Sequence, residues 1–277
     1  MSDTDQNSAS QVASARKQAK KEDGGWGEFI RTIVLAILVA LGFRTVAYEP
    51  FNIPSESMLP TLLIGDYLLV SKFSYGYSKH SIPLSPNIFS GRIGENPVER
   101  GDIAVFKFPG DNRTDYIKRI IGMPGDKILV VNGHLSINDA PVKRERIEDF
   151  KHPDDGLSYP QYRETLPNGV SFNTLDCSFS RYGVVPGLFE LDCSQGRTDN
   201  FGPHIVPEGH YFAMGDNRDN STDSRVSRSR NGVGNVPAEN LVGRADVIFF
   251  STFGARFWEF WKWFGAARYE RFFTAIK

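Results

Sequence analysis

Between Ile33 and Phe43 the chain reads IVLAILVALGF, eleven residues without a charge. At about 1.5 Å per helical residue that run falls short of a hydrocarbon core about 30 Å thick. Extending it from Phe29 to Tyr48 reaches the length, provided Arg31 and Arg44 carry their charges toward the two interfaces. Trp26 and Tyr48 fit as interfacial anchors, so the pattern predicts one transmembrane helix over 26–48. A cleaved secretory signal and a buried helix are rival readings of the same run. The anchor is preferred because no clear small-x-small cleavage pattern precedes the folded region. Residues 1–25 are rich in Ser, Ala, Gln and Lys with no apolar period, which predicts a disordered tail. Arg16, Lys17, Lys20 and Lys21 lie in that tail, and after Arg44 no Lys or Arg occurs until Lys72. That asymmetry puts the tail in the cytoplasm and the larger domain outside.

Beyond residue 60 the apolar positions come in short runs. YLLVSKF (67–73), DIAVFKF (102–108), DYIKRII (115–121), DKILVV (126–131), HLSI (134–137), HYFAM (210–214) and ADVIFF (245–250) are rich in β-branched and aromatic residues and separated by turn residues. Asn132-Gly133 between two of them signals a hairpin. The pattern predicts a mainly β domain from 49–139 and 206–250. Between 140 and 205 the sequence loosens into charged and Pro/Gly-rich stretches, which predicts an inserted second lobe. The last stretch, ARFWEFWKWFGAARYERFF, puts Phe257, Phe260, Trp261 and Phe264 on one helical face and Glu259, Lys262 and Glu270 on the other. It predicts an aromatic helix within 251–277, packed on the core or lying on a membrane surface, the second reading being preferred.

Composition changes this picture little. With 32 basic against 33 acidic residues the chain lacks the electrostatic footprint of a general nucleic-acid binder. The two cysteines, Cys177 and Cys193, lack CxxC spacing, which speaks against zinc and thioredoxin-type chemistry and leaves a single disulfide open. Five scattered histidines, His80, His134, His152, His204 and His210, offer no i, i+4 pair for a metal. The loop DNRDNSTD (216–223) superficially suggests a calcium loop, but Arg218 occupies a ligand position and no glycine falls at the sixth place. No metal and no cofactor are expected.

Chemistry is most plausible in the Pro-bounded turn PSESMLP (54–60), whose serines stand two residues apart. A serine nucleophile needs an adjacent base and donors for the developing oxyanion. Histidine is the usual base; His204 and His210 read more simply as strand or loop residues. Lysine is the other candidate, but a free amine, with a pKa near 10.4, takes a proton at neutral pH only if burial depresses that value. In DYIKRIIG strand alternation puts Tyr116, Lys118 and Ile120 on one face and Ile117, Arg119 and Ile121 on the other. Lys118 thus has apolar neighbours, although an edge-strand lysine with its head in water fits the same pattern.

Three stretches then converge on a family. PSESMLPTLLIGDYLLVSKFSYG (54–76), RGDIAVFKFPGD with DYIKRIIGMPGD (100–126) and GDNRDNSTDSR (215–225) resemble, in order and chemistry, bacterial type I signal peptidases. The resemblance runs from about Tyr48 to Ala245 apart from the loose insertion. It implies a signal-peptidase-type β fold, no cofactor, and a Ser/Lys dyad in which Ser57 is the nucleophile and Lys118 the base. It implies that the Ser55 hydroxyl helps the Ser57 N–H hold the oxyanion, that Ser221 orients the lysine, and that Asp223 and Arg225 support it. Phe51, Ile53, Met58, Leu62, Leu68 and Ile117 match positions lining shallow pockets for small side chains at −1 and −3 of a signal peptide, core packing being their plain alternative.

The implied partners are preproteins bearing signal peptides, the lipid bilayer and, as a further candidate, the export machinery. The implied location is the bacterial inner membrane, single-pass, with the catalytic domain on the periplasmic side. VSRSRNGVGNVP (226–237) is longer and more basic than the family's usual link, and the end of the chain is unusually aromatic. Two other classes stay open. One is a soluble self-cleaving Ser/Lys protease, against which the anchor and the lack of a helix-turn-helix signal speak; the other is a non-catalytic peptide-binding member of the same fold.

Overall fold

The computed structural model describes residues 26–40, 42, 44, 46–82, 85–87, 89–154, 156, 158–176, 198–256 and 258–276. The expected tail (1–25) and both cysteines lie outside them. The chain divides into two units, Met1–Thr45 and Val46–Lys277. In the first, residues 26–40 are helical. Among the described residues no helix is long and apolar enough to cross a membrane, so the expected span over 26–48 rests on the sequence pattern.

The second unit is built on β-structure, as its short apolar runs predict. Strands are numbered along the chain. The main sheet has the order β1 (Tyr48–Asn52), β2 (Asp66–Ser71), β16 (Leu241–Ser251), β3 (Ile103–Lys107), β4 (Asp115–Gly122), β14 (His210–Met214) and β15 (Val236–Pro237), and β17 (Thr274–Ala275) also pairs with β16. Its pairings are antiparallel. The eleven-residue β16 changes register against both neighbours, and such bulges bend a strand and raise its twist.

A second sheet has the order β13 (Phe201–Ile205), β5 (Lys127–Val131), β6 (His134–Ile137) and β7 (Ala140–Pro141). Its β5–β6 hairpin turns at Asn132 and Gly133, with φ of 49° and 75°. Positive φ at both turn residues is what a two-residue type I′ turn requires, and Asn-Gly supplies it. Because β13 pairs with β5, this sheet crosses both ends of the expected 140–205 lobe. Among the described residues the rest of the insertion contributes a three-stranded ladder, β12 (Ser171–Leu175), β11 (Gln161–Thr165) and β8 (Lys143–Arg146), and a pair, β10 (Ser158–Tyr159) and β9 (Phe150–Lys151).

Three apolar clusters cover β4. Ile117 packs against a cluster containing Ile53, Met58, Leu62, Leu68, Val105 and Ile248. Ile121 belongs to one built mainly from the second sheet and the insertion, with Ile128, Leu135, Phe172 and Phe212. Ile120, with Tyr116 at its margin, belongs to a third with Ala104, Phe106 and Ala213. From Ile117 to Ile121 the strand is therefore flanked by apolar clusters, and the two charged side chains there, Lys118 and Arg119, are buried.

The aromatic C-terminal stretch departs from expectation. The single amphipathic helix is replaced by a 3₁₀ turn (Phe260–Lys262), a four-residue helix (Trp263–Ala266), another 3₁₀ turn (Tyr269–Arg271) and β17. Tertiary partners account for the break. Arg268 bonds both oxygens of Asp154 at 2.7 and 2.6 Å, Arg271 bonds those of Asp66 at 3.0 and 2.6 Å, and the Ile276 N–H joins Asp246 O. One helix cannot satisfy all of these. Trp258, Phe260, Trp261, Phe264 and Phe273 remain exposed.

Candidate active site

After β1 the chain enters PSESMLP and makes a 3₁₀ turn over Glu56–Met58, with extended Ser55 as its N-cap. Met58 and Leu59 are buried and anchor the turn in the core. The loop 215–225 clasps it from the other side. The Asn217 N–H donates to Ser57 O at 3.2 Å, and Asn217 Nδ2 donates to Glu56 O at 3.1 Å. Ser57 is thereby held, 8% exposed as a residue.

Across from it, Lys118 Nζ donates to Ser57 Oγ at 2.6 Å and to the Ile117 carbonyl at 2.9 Å. The lysine is 4% exposed, so the edge-strand alternative with its head in water does not hold. Burial lowers its pKa from 10.5 to about 8, against the attraction of Asp223 and Asp216 and with a smaller push from Arg225. The apolar cover of β4 is the cause, since desolvation penalises the charged form of an amine.

Asp223 is fully buried. Burial would raise its carboxyl, but Arg225, together with the Gly215 and Arg225 N–H groups, holds it below the usual range. Arg225 Nε and Nη2 reach its two oxygens at 3.0 and 2.8 Å, and the Gly215 N–H donates at 3.0 Å. Ser221 lies in the same place. A Cβ built on Gly215 would sit 2.3 Å from Ser221 Oγ and 2.4 Å from Ser57 O, so only glycine fits there. The buried Ser221 hydroxyl has no hydrogen-bond partner among the described residues. The bond from Ser221 to Lys118 that the resemblance implies is thus not formed here, and Ile117 O takes the position beside Nζ.

A cleft of about 730 Å³ opens over this pair, lined by Pro54, Ser55, Glu56, Ser57, Ile64, Thr114–Lys118, Asn220 and Thr222. Ser55 Oγ stands 3.5 Å from Ser57 Oγ. Of the six expected substrate contacts, Ile117 lines the cleft. Met58, Leu62 and Leu68 have no exposed surface and Ile53 almost none; they back the cleft from the apolar cluster, with Phe51 packed against them. The β14 ladder on β4 ends at Met214 opposite Arg119, while β3 pairs along Ile103–Lys107. Among the described residues, 115–118 therefore have no strand partner on the side away from β3, and this edge lies beside Ser57.

The family model described as signal peptidase, peptidase S26, matches residues 26–250. This chain belongs to that family. A signal peptidase I of Rickettsia massiliae is 40% identical over 242 residues, covering 87% of this chain and 83% of its own. One of Rickettsia typhi is 42% identical over 223 residues, covering 80% and 79%. Among solved structures, a signal peptidase I from Enterococcus faecalis V583 has 22% identity and a TM-score of 0.29, covering 54% of this chain and 97% of that one.

In this S26 peptidase, several residues at the site escape a sequence reading centred on the dyad. Arg119, fully buried, donates Nε and Nη2 to the Asp216 oxygens at 2.9 and 2.8 Å and Nη1 to Gly101 O at 2.8 Å. Thr61 Oγ1 donates to Asp216 Oδ2 at 2.6 Å. Asp216 and Asn217 sit inside the quoted GDNRDNSTDSR motif, and Arg119 directly follows Lys118. Strand alternation sent Arg119 to the opposite face, with nothing to name its partner. The described residues that could hold a metal are Asp176, Asp199 and Asp219, each with one carboxylate oxygen within 4.8 Å of the others. Arg144 pairs with Asp176 there, and the dyad makes no use of the cluster.

Proposed function

We propose that this chain is a membrane-anchored serine endopeptidase that removes N-terminal signal peptides from exported preproteins, cutting after small residues at −1 and −3. The observation that carries the reading is the 2.6 Å approach of Lys118 Nζ to Ser57 Oγ in a buried setting that lowers the lysine pKa to about 8. At neutral pH about a tenth of such an amine is neutral. Neutral Lys118 takes the Ser57 hydroxyl proton as Oγ attacks the scissile carbonyl, and returns it to the leaving amine. The Ser57 N–H and Ser55 Oγ receive the oxyanion. When Ser57 Oγ becomes part of the acyl-enzyme, the unpartnered Ser221 hydroxyl is available to hold Lys118 Nζ, while Asp223 and Arg225 keep the loop in place. The substrate adds to the open edge at 115–118 as an extended strand, its small side chains against Ile117. The apolar run over 26–48 anchors the enzyme with its tail in the cytoplasm, and the exposed C-terminal aromatics rest in the bilayer interface.

The test is incubation of a purified preprotein with the enzyme in detergent, with mass spectrometry of the products. A single cut after a small residue is expected, and a large side chain at −1 is expected to abolish it. Binding without cleavage would instead favour a peptide-binding member of the fold. The pH profile carries its own expectation. Because the folded lysine loses its proton near 8, kcat rises with pH and levels above about 8; below that it falls roughly tenfold per pH unit. A rate flat to mildly acidic pH would rule out lysine as base.

A further inference from the structure

The insertion supplies neither member of the dyad, yet its residues touch the 215–225 loop at several points and Arg119, next to Lys118, at another. Arg218, 3% exposed, donates Nη1 and Nη2 to Glu164 Oε1 and Oε2 at 2.8 and 2.6 Å, and Glu164, on β11, is 1% exposed. At the end of β12 the Leu175 N–H donates to Asp216 O at 2.9 Å, and Leu175 O accepts the Arg218 N–H at 2.8 Å. This is a parallel bridge between Leu175 and Asn217. Finally, the Phe172 ring lies 4.2 Å from the Arg119 guanidinium carbon, behind the Arg119–Asp216 pair.

These contacts form one mechanical series. Glu164 holds Arg218; Arg218 and Asp216 flank Asn217; Asn217 bonds the Ser57 and Glu56 carbonyls. Residues 215–225 lack a regular strand of their own, so their place depends on outside partners. A bidentate arginine–carboxylate pair fixes both distance and plane, which a single hydrogen bond does not. Such a pair buried in an apolar setting brings little net stability against hydrophobic residues of the same size. Its geometric role is therefore the more telling one.

We propose that Glu164 is a positioning residue for the dyad: through Arg218 it holds the 215–225 loop against Ser57 and Lys118, so that the inserted lobe braces the active site. The proposal rests on the Ser57/Lys118 reading above. Its consequence for Lys118 can be signed. Burial is the largest influence on the lysine, ahead of attraction to Asp223 and Asp216 and repulsion by Arg225, the other charged groups that act on it. A loosened loop admits water, and the amine moves back toward its ordinary value.

The experiment compares full-length wild type, Glu164→Gln, Glu164→Asp, Phe172→Leu and Ser57→Ala in detergent. Thermal melts give the folded fraction; kcat, KM and the pH profile of kcat are measured on a preprotein-derived peptide. Folded Glu164→Gln is expected to lose about 10- to 100-fold in kcat, with KM within about twofold and the acid limb of the profile moved to higher pH. Glu164→Asp, which keeps the charge, restores part of the rate. Unchanged kcat in folded Glu164→Gln overturns the proposal, and so does a fall in kcat with the acid limb in place, since general loss of structure would do that. If Glu164→Gln does not fold, Phe172→Leu, which leaves no charge unpaired, is judged by the same two criteria. Cleavage by Ser57→Ala overturns the dyad itself, whatever Glu164 does.

Discussion

Lys118→Met is expected to abolish preprotein cleavage while leaving the protein at least as stable as wild type. Removing one member of a nucleophile–base pair lowers kcat by roughly 10⁴-fold or more, because the remaining partner cannot work alone. Ser57→Ala should lose as much, and, with the two proposed to act as a unit, the double variant no more than either single one. The stability arm has the opposite sign from most core substitutions. Holding the amine at about 8 instead of 10.5 disfavours its charged form by about 3 kcal/mol. The folded chain therefore binds fewer protons here than the unfolded chain between those values, and stability rises with pH across that window. Methionine fills the space without a charge, and part of the gain is offset because Ser57 Oγ and the Ile117 carbonyl lose a donor. Cleavage assays beside thermal melts at neutral pH check both arms. Residual cleavage within tenfold of wild type, or a melting temperature several degrees lower, would contradict this account of the lysine.

The second large effect concerns the pair next to the dyad. Asp216→Asn removes the counter-charge of the fully buried Arg119 and one of the two oxygens that accept from Arg119 and Thr61. Breaking one side of a buried ion pair costs about 3–5 kcal/mol, a large share of a typical domain's 5–15 kcal/mol. A fall of very roughly 6–20 °C in melting temperature is expected. Activity should fall with it even where the protein stays folded, because Asp216 lies between Gly215 and Asn217, both in contact with the Ser57 turn. Replacing both partners with apolar residues, Arg119→Met with Asp216→Leu, is expected to recover much of the stability and little of the activity. Urea titrations and preprotein cleavage on the same samples separate the two. Full recovery of both would show the pair to be filler.

Much of this was legible along the chain, for reasons tied to particular residues. The β class follows from the alternation in DYIKRIIG and its companions, a local property. Asn132-Gly133 announces its hairpin because few other pairs accept positive φ twice in succession. The motifs around Ser57, Lys118 and Asp223 carry the family resemblance, and the family match bears that resemblance out. The expected C-terminal helix is broken where Arg268 and Arg271, neither of them among the polar-face residues of the helical reading, take distant partners, Asp154 and Asp66. Helical periodicity contains no term for such contacts. Leu62 and Leu68 read equally as pocket or core, and only packing put them, with Met58, in the buried cluster behind the cleft.

The sequence by itself determined which residue types stand at the site, in what order, and on which local element: a serine in a tight turn, a lysine on an apolar strand, an acid–arginine pair in a loop. What tertiary structure decided is whether they meet and in what state. The 2.6 Å contact between Ser57 and Lys118 spans 61 positions, and the lowered pKa depends on apolar clusters drawn from several strands. Glu164 joins Arg218 across 54 positions. Local propensity reaches a few residues either way, whereas proton transfer, desolvation and ion pairing act through space, so those properties exist only once the other strands and loops have packed around β4.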